Sequence, residues 1–509
     1  MEKVLLINPG QTFYPKSYRA SRFGSIGLPL GLLYVASLLE AGGSKVEVLD
    51  CMVSEGSGPY RSGGKNGYGL PAREVQQRVR ASRPDIVGIG SQFAAQEDNS
   101  VSVADQVKGV DDSILVVLGG SNAGCRGAHL MEGCESIDVV VKGEGERTVQ
   151  SLIDFHRGLK RMDDVKGVVF RGEDGMRDTG DGPLVERLDD IPFPAYHLLN
   201  MEDYLTLSRR GVYARGRDVD RNISMITSRG CPFNCVFCSI SGTMGRRWRT
   251  HSPEYVMRHI DLVGSRYNVK HIHFEDDNLL LEPSRFIQIM ERLREAGISW
   301  DTPNGVRVDT RISAEMLREM RNSGCKSLTI GVESGDQRSL DEGVHKGLSL
   351  SDVEEFASRC RAVKLPLKAF YILGFPGEDV KSMNRTVEYA LRLLDEYDVE
   401  PINFIATPIY GTELYRICSK RGYLPKEISP QSLSESTVSD GRSLISTEEF
   451  TSDDVERLSK AFTAKAYRKM LAKGLKNPAL LARRVGNVHS LARIVRRTIN
   501  DDLARFVRV

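Results

Sequence analysis

No apolar run in this 509-residue chain approaches the roughly 20 residues that a membrane-spanning helix needs, so none is expected. Cysteine is too sparse for a disulfide scaffold: nine in a chain of this length fit a reducing compartment better. Net charge is missing as well. Seventy lysines and arginines against 68 acidic residues leave a formal +2, which gives no reason to expect a nucleic-acid partner. The opening Met1-Glu2-Lys3-Val4-Leu5-Leu6-Ile7-Asn8-Pro9 lacks the pattern of a secretory leader and reads as a short strand. Together these absences point to a cytoplasmic protein. What remains, 40% hydrophobic and 27% charged residues, is ordinary globular composition, with length for two or three domains.

Two regions alternate short apolar runs with amphipathic helical stretches. In the first third the runs are Val4–Ile7, Val46–Leu49, Ile86–Ile89, Ile114–Leu118 and Val139–Val141, with a helix over Leu30–Ala41 stopped by Gly42-Gly43. This pattern predicts a parallel, doubly wound α/β sheet whose ligand lies at the carboxyl ends of the strands. The loops Gly88-Ile89-Gly90-Ser91-Gln92-Phe93 and Leu118-Gly119-Gly120-Ser121-Asn122-Ala123 sit at those ends. Residues 53–70, rich in glycine and serine, read as a flexible insertion at the surface. Val168–Arg171 and Leu184–Arg187 flank a Gly/Asp-rich turn and predict a hairpin, followed by the proline-punctuated Ile191–Tyr196.

The second region places strands at Ile223–Thr227, His271–Glu275, Asn304–Val308, Ser327–Val332, Ala369–Leu373 and Ile402–Thr407, six βα repeats that suggest an incomplete (β/α) barrel. Its first strand runs into Ser228-Arg229-Gly230-Cys231-Pro232-Phe233-Asn234-Cys235-Val236-Phe237-Cys238. Three cysteines at C-x-x-x-C-x-x-C spacing on a tight loop can aim three thiolates at one point. Such a run suits an iron–sulfur cluster, which normally takes four protein ligands. With no fourth cysteine nearby, one iron is left open. A structural zinc site would need four ligands, and neither a second C-x-x-C nor a suitably spaced histidine supplies them.

The cysteine spacing, with Phe237 before the last cysteine, resembles the radical S-adenosylmethionine (SAM) superfamily. That resemblance implies a [4Fe-4S] cluster on Cys231, Cys235 and Cys238 whose open iron chelates SAM and splits it to a 5′-deoxyadenosyl radical. It also implies SAM contacts at Phe237, at Glu275, Asp276 and Asp277 (the methionine amine), at Glu333 (ribose or amine) and at Gly374 and Gly377 (adenine). Arg307 and Lys346 are further family-like positions. The serine at one strand end and the glycine pair at the next resemble a cobalamin-binding domain. Carried over, that likeness assigns cobalamin contacts to Gly24, Gly27, Ser91, Gln92, Phe93, Gly119, Gly120, Ser121, Asn122, Gly143 and Glu144. The D-x-H-x-x-G motif that supplies a cobalt-ligating histidine in cobalamin mutases occurs nowhere in the chain, and Gly24 stands where that histidine would be.

The combined resemblance, to cobalamin-dependent radical SAM enzymes, implies a Rossmann-like cobalamin-binding domain over 1–150 and a linker over 151–220. A partial (β/α)6 radical SAM barrel over 221–420 and a C-terminal basic helical domain over 421–509 complete the expected order. It implies a methyltransferase that methylates an unactivated carbon of a small-molecule or lipid-like substrate, reduced by a donor such as flavodoxin or ferredoxin. Rival readings are cyclisation or rearrangement without methyl transfer, methylthiotransfer with a second cluster, and a cobalamin sensor or carrier. Cys51, Cys125 and Cys134 do not fall on successive strand-end loops as a second cluster needs. Residues 451–509 carry 14 lysines and arginines against five acidic residues, with basic amphipathic stretches at 480–485 and 491–497. These suit a solvated helical face packed on the barrel, or peripheral contact with anionic membrane.

Overall fold

The computed structural model describes residues 1–13, 26–62, 65–207, 221–308, 311–436 and 441–476. The parallel strands of the first sheet are β1 (Lys3–Asn8), β2 (Lys45–Asp50), β3 (Ile86–Gly90), β4 (Leu115–Gly119) and β5 (Val139–Val141). They pair in parallel in the order β5-β4-β3-β1-β2. Most of their valines, leucines and isoleucines are buried, on both faces, as a sheet sandwiched by helices requires. The helices are α1 (Leu30–Ala41), α2 (Ala72–Ser82), α3 (Glu97–Lys108), α4 (Ser121–Gly133) and α5 (Gly145–His156). The sheet continues beyond residue 150: β6 (Val168–Gly172) pairs antiparallel with β5, and β7 (Gly175–Asp178) with β6.

Two expectations for this half need correction. The hairpin is formed by β6 and β7, not by Leu184–Arg187, whose Val185 N–H instead donates to Glu144 Oε2 at 2.7 Å. The glycine-rich segment is not a flexible insertion. Gly58–Ser62 and Lys65–Gly69 pair antiparallel, and the second also pairs with Gln11–Phe13. Its glycines serve close packing: a Cβ at Gly67 would collide with the Tyr60 ring, and one at Gly69 would stand 2.9 Å from Gly10 Cα.

The second sheet holds six parallel strands in chain order: β8 (Asn222–Met225), β9 (His271–Phe274), β10 (Ser299–Asp301), β11 (Cys325–Glu333), β12 (Leu367–Leu373) and β13 (Glu400–Ile405). β8 and β13 are not paired with each other, so the barrel is open. The third strand lies earlier than the expected Asn304–Val308, which joins the sheet only through a Val306–Ile330 bridge. Ile272 and Phe274 face the outer helices, where Phe274, Phe286 and Trp300 rings pack edge to face at 5.0–5.9 Å. By alternation His271 and His273 turn to the lumen.

After the barrel, the helix Ser452–Lys476 lies against β13 and the helix Val380–Tyr397. Asn403 Nδ2 donates to Ser459 Oγ at 2.7 Å, and the Phe462 ring packs on Tyr371 at 5.9 Å. Its start is capped reciprocally by Thr451 and Asp454. The basic stretches at 480–497 lie outside the described residues. No described helix is long and apolar enough to cross a membrane.

Candidate active site

The cysteine loop leaves β8 through Thr227 and Ser228-Arg229, which forms a two-residue ladder with Arg249-Thr250. Gly230 has φ +83°, and a Cβ there would strike the Arg247 carbonyl, so the turn needs glycine. Two carboxylates hold the loop from β9. Asp276 Oδ1 accepts from Thr227 Oγ1 at 2.8 Å and Ser228 Oγ at 2.6 Å, and Asp277 Oδ2 accepts from Gly230 N at 2.7 Å. Arg285 closes the base by donating to the Thr227 and His251 carbonyls, at 2.9 and 2.8 Å.

Of the three residues expected at SAM's amine, Asp276 and Asp277 have their side chains engaged by the cysteine loop. Asp276 is fully buried and occupied by the loop, Asp277 fixes its turn, and Glu275 is the half-buried member, accepting from Ser224 Oγ at 3.1 Å. A carboxylate after a strand is visible in sequence; the N–H it receives is not.

Cys231, Cys235 and Cys238 are half-buried on this loop, and each later cysteine feels the charge of the earlier ones. Burial pushes all three thiols up, Cys238 to about 11, while Lys346 and Arg307 act in the opposite sense at Cys231 and Cys235. Unligated, the loop therefore holds thiols. A bound cluster deprotonates its ligands, so three clustered soft donors beside two cations fit it. Phe237 packs on Phe375 at 5.8 Å, tying the cysteine loop to Gly374-Phe375-Pro376-Gly377. There Gly374 (φ +95°) and Gly377 (φ +92°) turn the chain around Glu378, whose Oε2 accepts from the Gly374 and Phe375 N–H groups, both at 2.9 Å.

Glu333 closes β11 in the left-handed region (φ +70°) and pairs with buried Lys346 at 2.8 Å. Gly331 makes room: a Cβ there would collide with Glu333 Oε1. Glu333 was expected against SAM; here its carboxylate lies beside Cys235 with Lys346 already on it. Arg307 stacks its guanidinium 3.8 Å over the Phe233 ring and donates to the Lys346 carbonyl at 2.7 Å. With Asn278, Arg311 and Asp352 it lines a cleft of about 220 Å³ beside the loop.

At the ends of β3 and β4 the Ser91 and glycine loops interlock. Gly120 has φ +111°, and a Cβ there would lie 2.7 Å from Ser91 O. The same carbonyl accepts from Asn122 N at 3.1 Å, and Asn122 Nδ2 reaches Ser91 Oγ at 3.3 Å and Glu97 at 3.2 Å. Ser91 and Asn122 are thus buried framework. Gln92 and Phe93 (63% exposed) stand outside it, beside Gly119 and Ser121. A Cβ at Gly119 would meet only Val141, at 3.9 Å, and one at Gly27 would meet nothing within 4 Å. An exposed aromatic beside bare strand-end glycines fits a large flat cofactor. Gly24 lies outside the described residues.

Glu144, expected at cobalamin, has its carboxylate engaged elsewhere. Its side chain is fully buried, taking Arg249 Nη1 and Nη2 at 2.9 and 2.6 Å besides Val185 N, with Arg229 at 3.6 Å; Glu146 takes Arg229 at 2.6 Å. Gly143 lies 3.6 Å (from its would-be Cβ) from the Thr243 carbonyl, and α4 lies against the helix Ile240–Thr243 that follows Cys238. The two acidic residues after β5 therefore bolt the first sheet to the base of the cysteine loop. Sequence offered no signal for Arg229 and Arg249 as their partners. On the far side, Arg126 of α4 stacks 4.0 Å over Tyr410. The turn Ala94–Gln96 meets the helix Pro430–Ser436. Cys51 follows β2, Cys125 lies in α4 against Gly411 and Cys134 caps the end of α4, and the three form no metal-ligating group among the described residues.

Comparison with known proteins matches this architecture. The radical SAM superfamily model covers residues 225–390, and the B12 binding domain model covers residues 18–153. An uncharacterized methyltransferase of Pyrococcus horikoshii is 31% identical over 81% of this chain and 82% of its own length. The cytidylyl-2-hydroxyethylphosphonate methyltransferase of Streptomyces wedmorensis is 29% identical over 84% of each. The cobalamin-dependent SAM radical enzyme OxsB, solved with aqua-cobalamin and SAM bound, shares the fold at a TM-score of 0.69 and 18% identity, covering 100% of this chain and 76% of that one. The chain belongs to the cobalamin-dependent radical SAM enzymes. It is a methyltransferase of that family, and its cofactors are a [4Fe-4S] cluster, SAM and cobalamin.

Proposed function

We propose that this enzyme methylates an unactivated carbon of a small-molecule substrate held between the cysteine loop and the Ser91 and Gly119-Gly120 loops. The observation that carries this reading is the buried joint of Glu144 and Glu146 with Arg249 and Arg229, which sets the cobalamin-type strand ends against the cysteine loop. When bound, the cluster with SAM supplies a hydrogen-abstracting 5′-deoxyadenosyl radical, and methylcobalamin supplies the methyl group.

The chain's own residues position these groups. Cys231, Cys235 and Cys238 ligate the cluster. Asp276 and Asp277 fix their loop from below. Glu275 and the Gly374 and Gly377 backbone face SAM. Phe93, Gln92, Gly119 and Ser121 face cobalamin. Lys346, paired with Glu333 beside Cys235, balances charge at the cluster. A one-electron donor such as flavodoxin or ferredoxin completes the cycle.

The test is iron, sulfide and cobalt analysis of anaerobically reconstituted protein offered cobalamin, followed by transfer of labelled methyl from SAM. About four irons and one cobalt per chain are expected. A C231A/C235A/C238A chain should keep cobalt and lose iron. About eight irons without cobalt would overturn the reading.

A further inference from the structure

Below Glu275, on the same lumen-facing edge of β9, stand His271 and His273, with Asp301 beside them on β10. None of the three belongs to the cysteine loop or to the joint between the two halves. His271 is 1% and His273 2% exposed. His271 Nδ1 lies 2.8 Å from Ser299 Oγ, and that hydroxyl donates to the Lys270 carbonyl at 3.1 Å. The hydroxyl proton is thus committed, so Nδ1 is the donor and the lone pair sits on Nε2. His273 Nδ1 lies 2.6 Å from Asp301 Oδ1, the carboxylate oxygen that His271 Nε2 also faces.

Both Nε2 atoms are buried and meet no hydrogen-bond partner among the described residues. That of His271 faces Asp301 Oδ1 at 3.6 Å, acceptor against acceptor. His271 Nε2, His273 Nδ1 and the Asp301 carboxylate thus gather in a buried lumen with lone pairs that a cation among them would satisfy. One ligand atom from each of the three residues falls within 4.8 Å of the others.

We propose that His271, His273 and Asp301 form a divalent transition-metal site in the barrel lumen. Two imidazoles and one carboxylate suit Zn²⁺ or Fe²⁺ and leave coordination positions open. Ser299 does for His271 what an outer hydrogen-bond acceptor does for a metal-bound imidazole: it fixes the tautomer and the ring's orientation. Strand geometry sets His273 about 7 Å deeper than Glu275. Water or a substrate oxygen would complete the shell. Asp301, at 19% side-chain exposure, is the edge by which an ion enters.

The experiment uses the full-length C231A/C235A/C238A chain, so that the cluster thiolates do not compete, titrated anaerobically with Co²⁺ and then Zn²⁺. One Co²⁺ per chain is expected, with d–d bands, no sulfur-to-cobalt charge transfer, and displacement by Zn²⁺. H273Q and D301N, checked for folding by circular dichroism, should each weaken binding at least about tenfold. Failure of the C231A/C235A/C238A chain to bind stoichiometrically, or unchanged binding in both variants, would overturn the site. If the variants do not fold, X-ray absorption at the zinc edge of the C231A/C235A/C238A chain decides: two imidazoles support the proposal, and any other first shell rejects it. The readout does not involve SAM or cobalamin, so it stands or falls apart from the methyl-transfer reading.

Discussion

Adjacent glycines at the end of β4 have different physical duties. Gly120 is required by its neighbours, since its backbone is in a region open essentially to glycine and the Ser91 carbonyl fills the space of a side chain. Gly120→Ala should cost about 3 kcal/mol, read as a lowered urea midpoint. Gly119 has room. Gly119→Ala should therefore leave stability within about 0.5 kcal/mol of wild type. Its cobalamin affinity, measured by equilibrium dialysis, should nevertheless fall, because the methyl group occupies the face offered to the cofactor.

Glu378 gives a second test at this scale. Burial pushes its carboxyl from 4.5 up to about 7, against two backbone N–H groups that favour the ionised form. The folded chain thus keeps a proton that the unfolded chain has released. The resulting stability is fully present below about pH 4.5 and is lost as pH rises through 7. Glu378→Gln keeps an acceptor for Gly374 and Phe375 without a charge. The stability of wild type minus that of Glu378→Gln should decline by about 3 kcal/mol between pH 4.5 and pH 8 in urea titrations. A flat difference would mean that Glu378 is ionised throughout.

Among elements, the joint between the sheets is the informative one. Glu144→Gln leaves Arg249 buried without its carboxylate partner, a loss of about 3–5 kcal/mol. Thermal unfolding should then separate into two transitions, since this contact spans the two sheets. The sequence displays the acidic pair after β5 but not its purpose, because the arginines that answer it lie some hundred residues on. The strands were legible where both faces are apolar, as in Val139–Val141. β10 was not, since Ser299 and Asp301 turn polar side chains to the lumen and only Trp300 reads as core. The same lumen polarity hid the His271 and His273 pair inside an apolar-looking strand. Glycine richness at 53–70 misled because glycine serves tight packing as well as freedom, and only the Tyr60 ring beside Gly67 distinguishes the two.

On the scale of the whole molecule, the helix Ser452–Lys476 belongs to the barrel. Val455 and Phe462 are fully buried in its core, and Lys473 caps the helix Val380–Tyr397 through the Leu394 and Asp395 carbonyls. A chain ending at residue 450 would expose β12 and β13 and should not accumulate in folded form. Phe462→Ala in the full chain should cost about 3–5 kcal/mol, measured by urea unfolding. Its capping residues Thr451 and Asp454 are visible in sequence, but the surface the helix covers is not.

The contacts of Arg126 with Tyr410, and of the turn Ala94–Gln96 with the helix Pro430–Ser436, also carry a consequence in time. The first sheet is synthesised early, yet the wall beside its Ser91 loop comes from chain made some 300 residues later. Nascent chain on the ribosome therefore presents only half of that cradle. Cobalamin meets both walls of the site only after residue 436 has emerged, when most of the chain has been made.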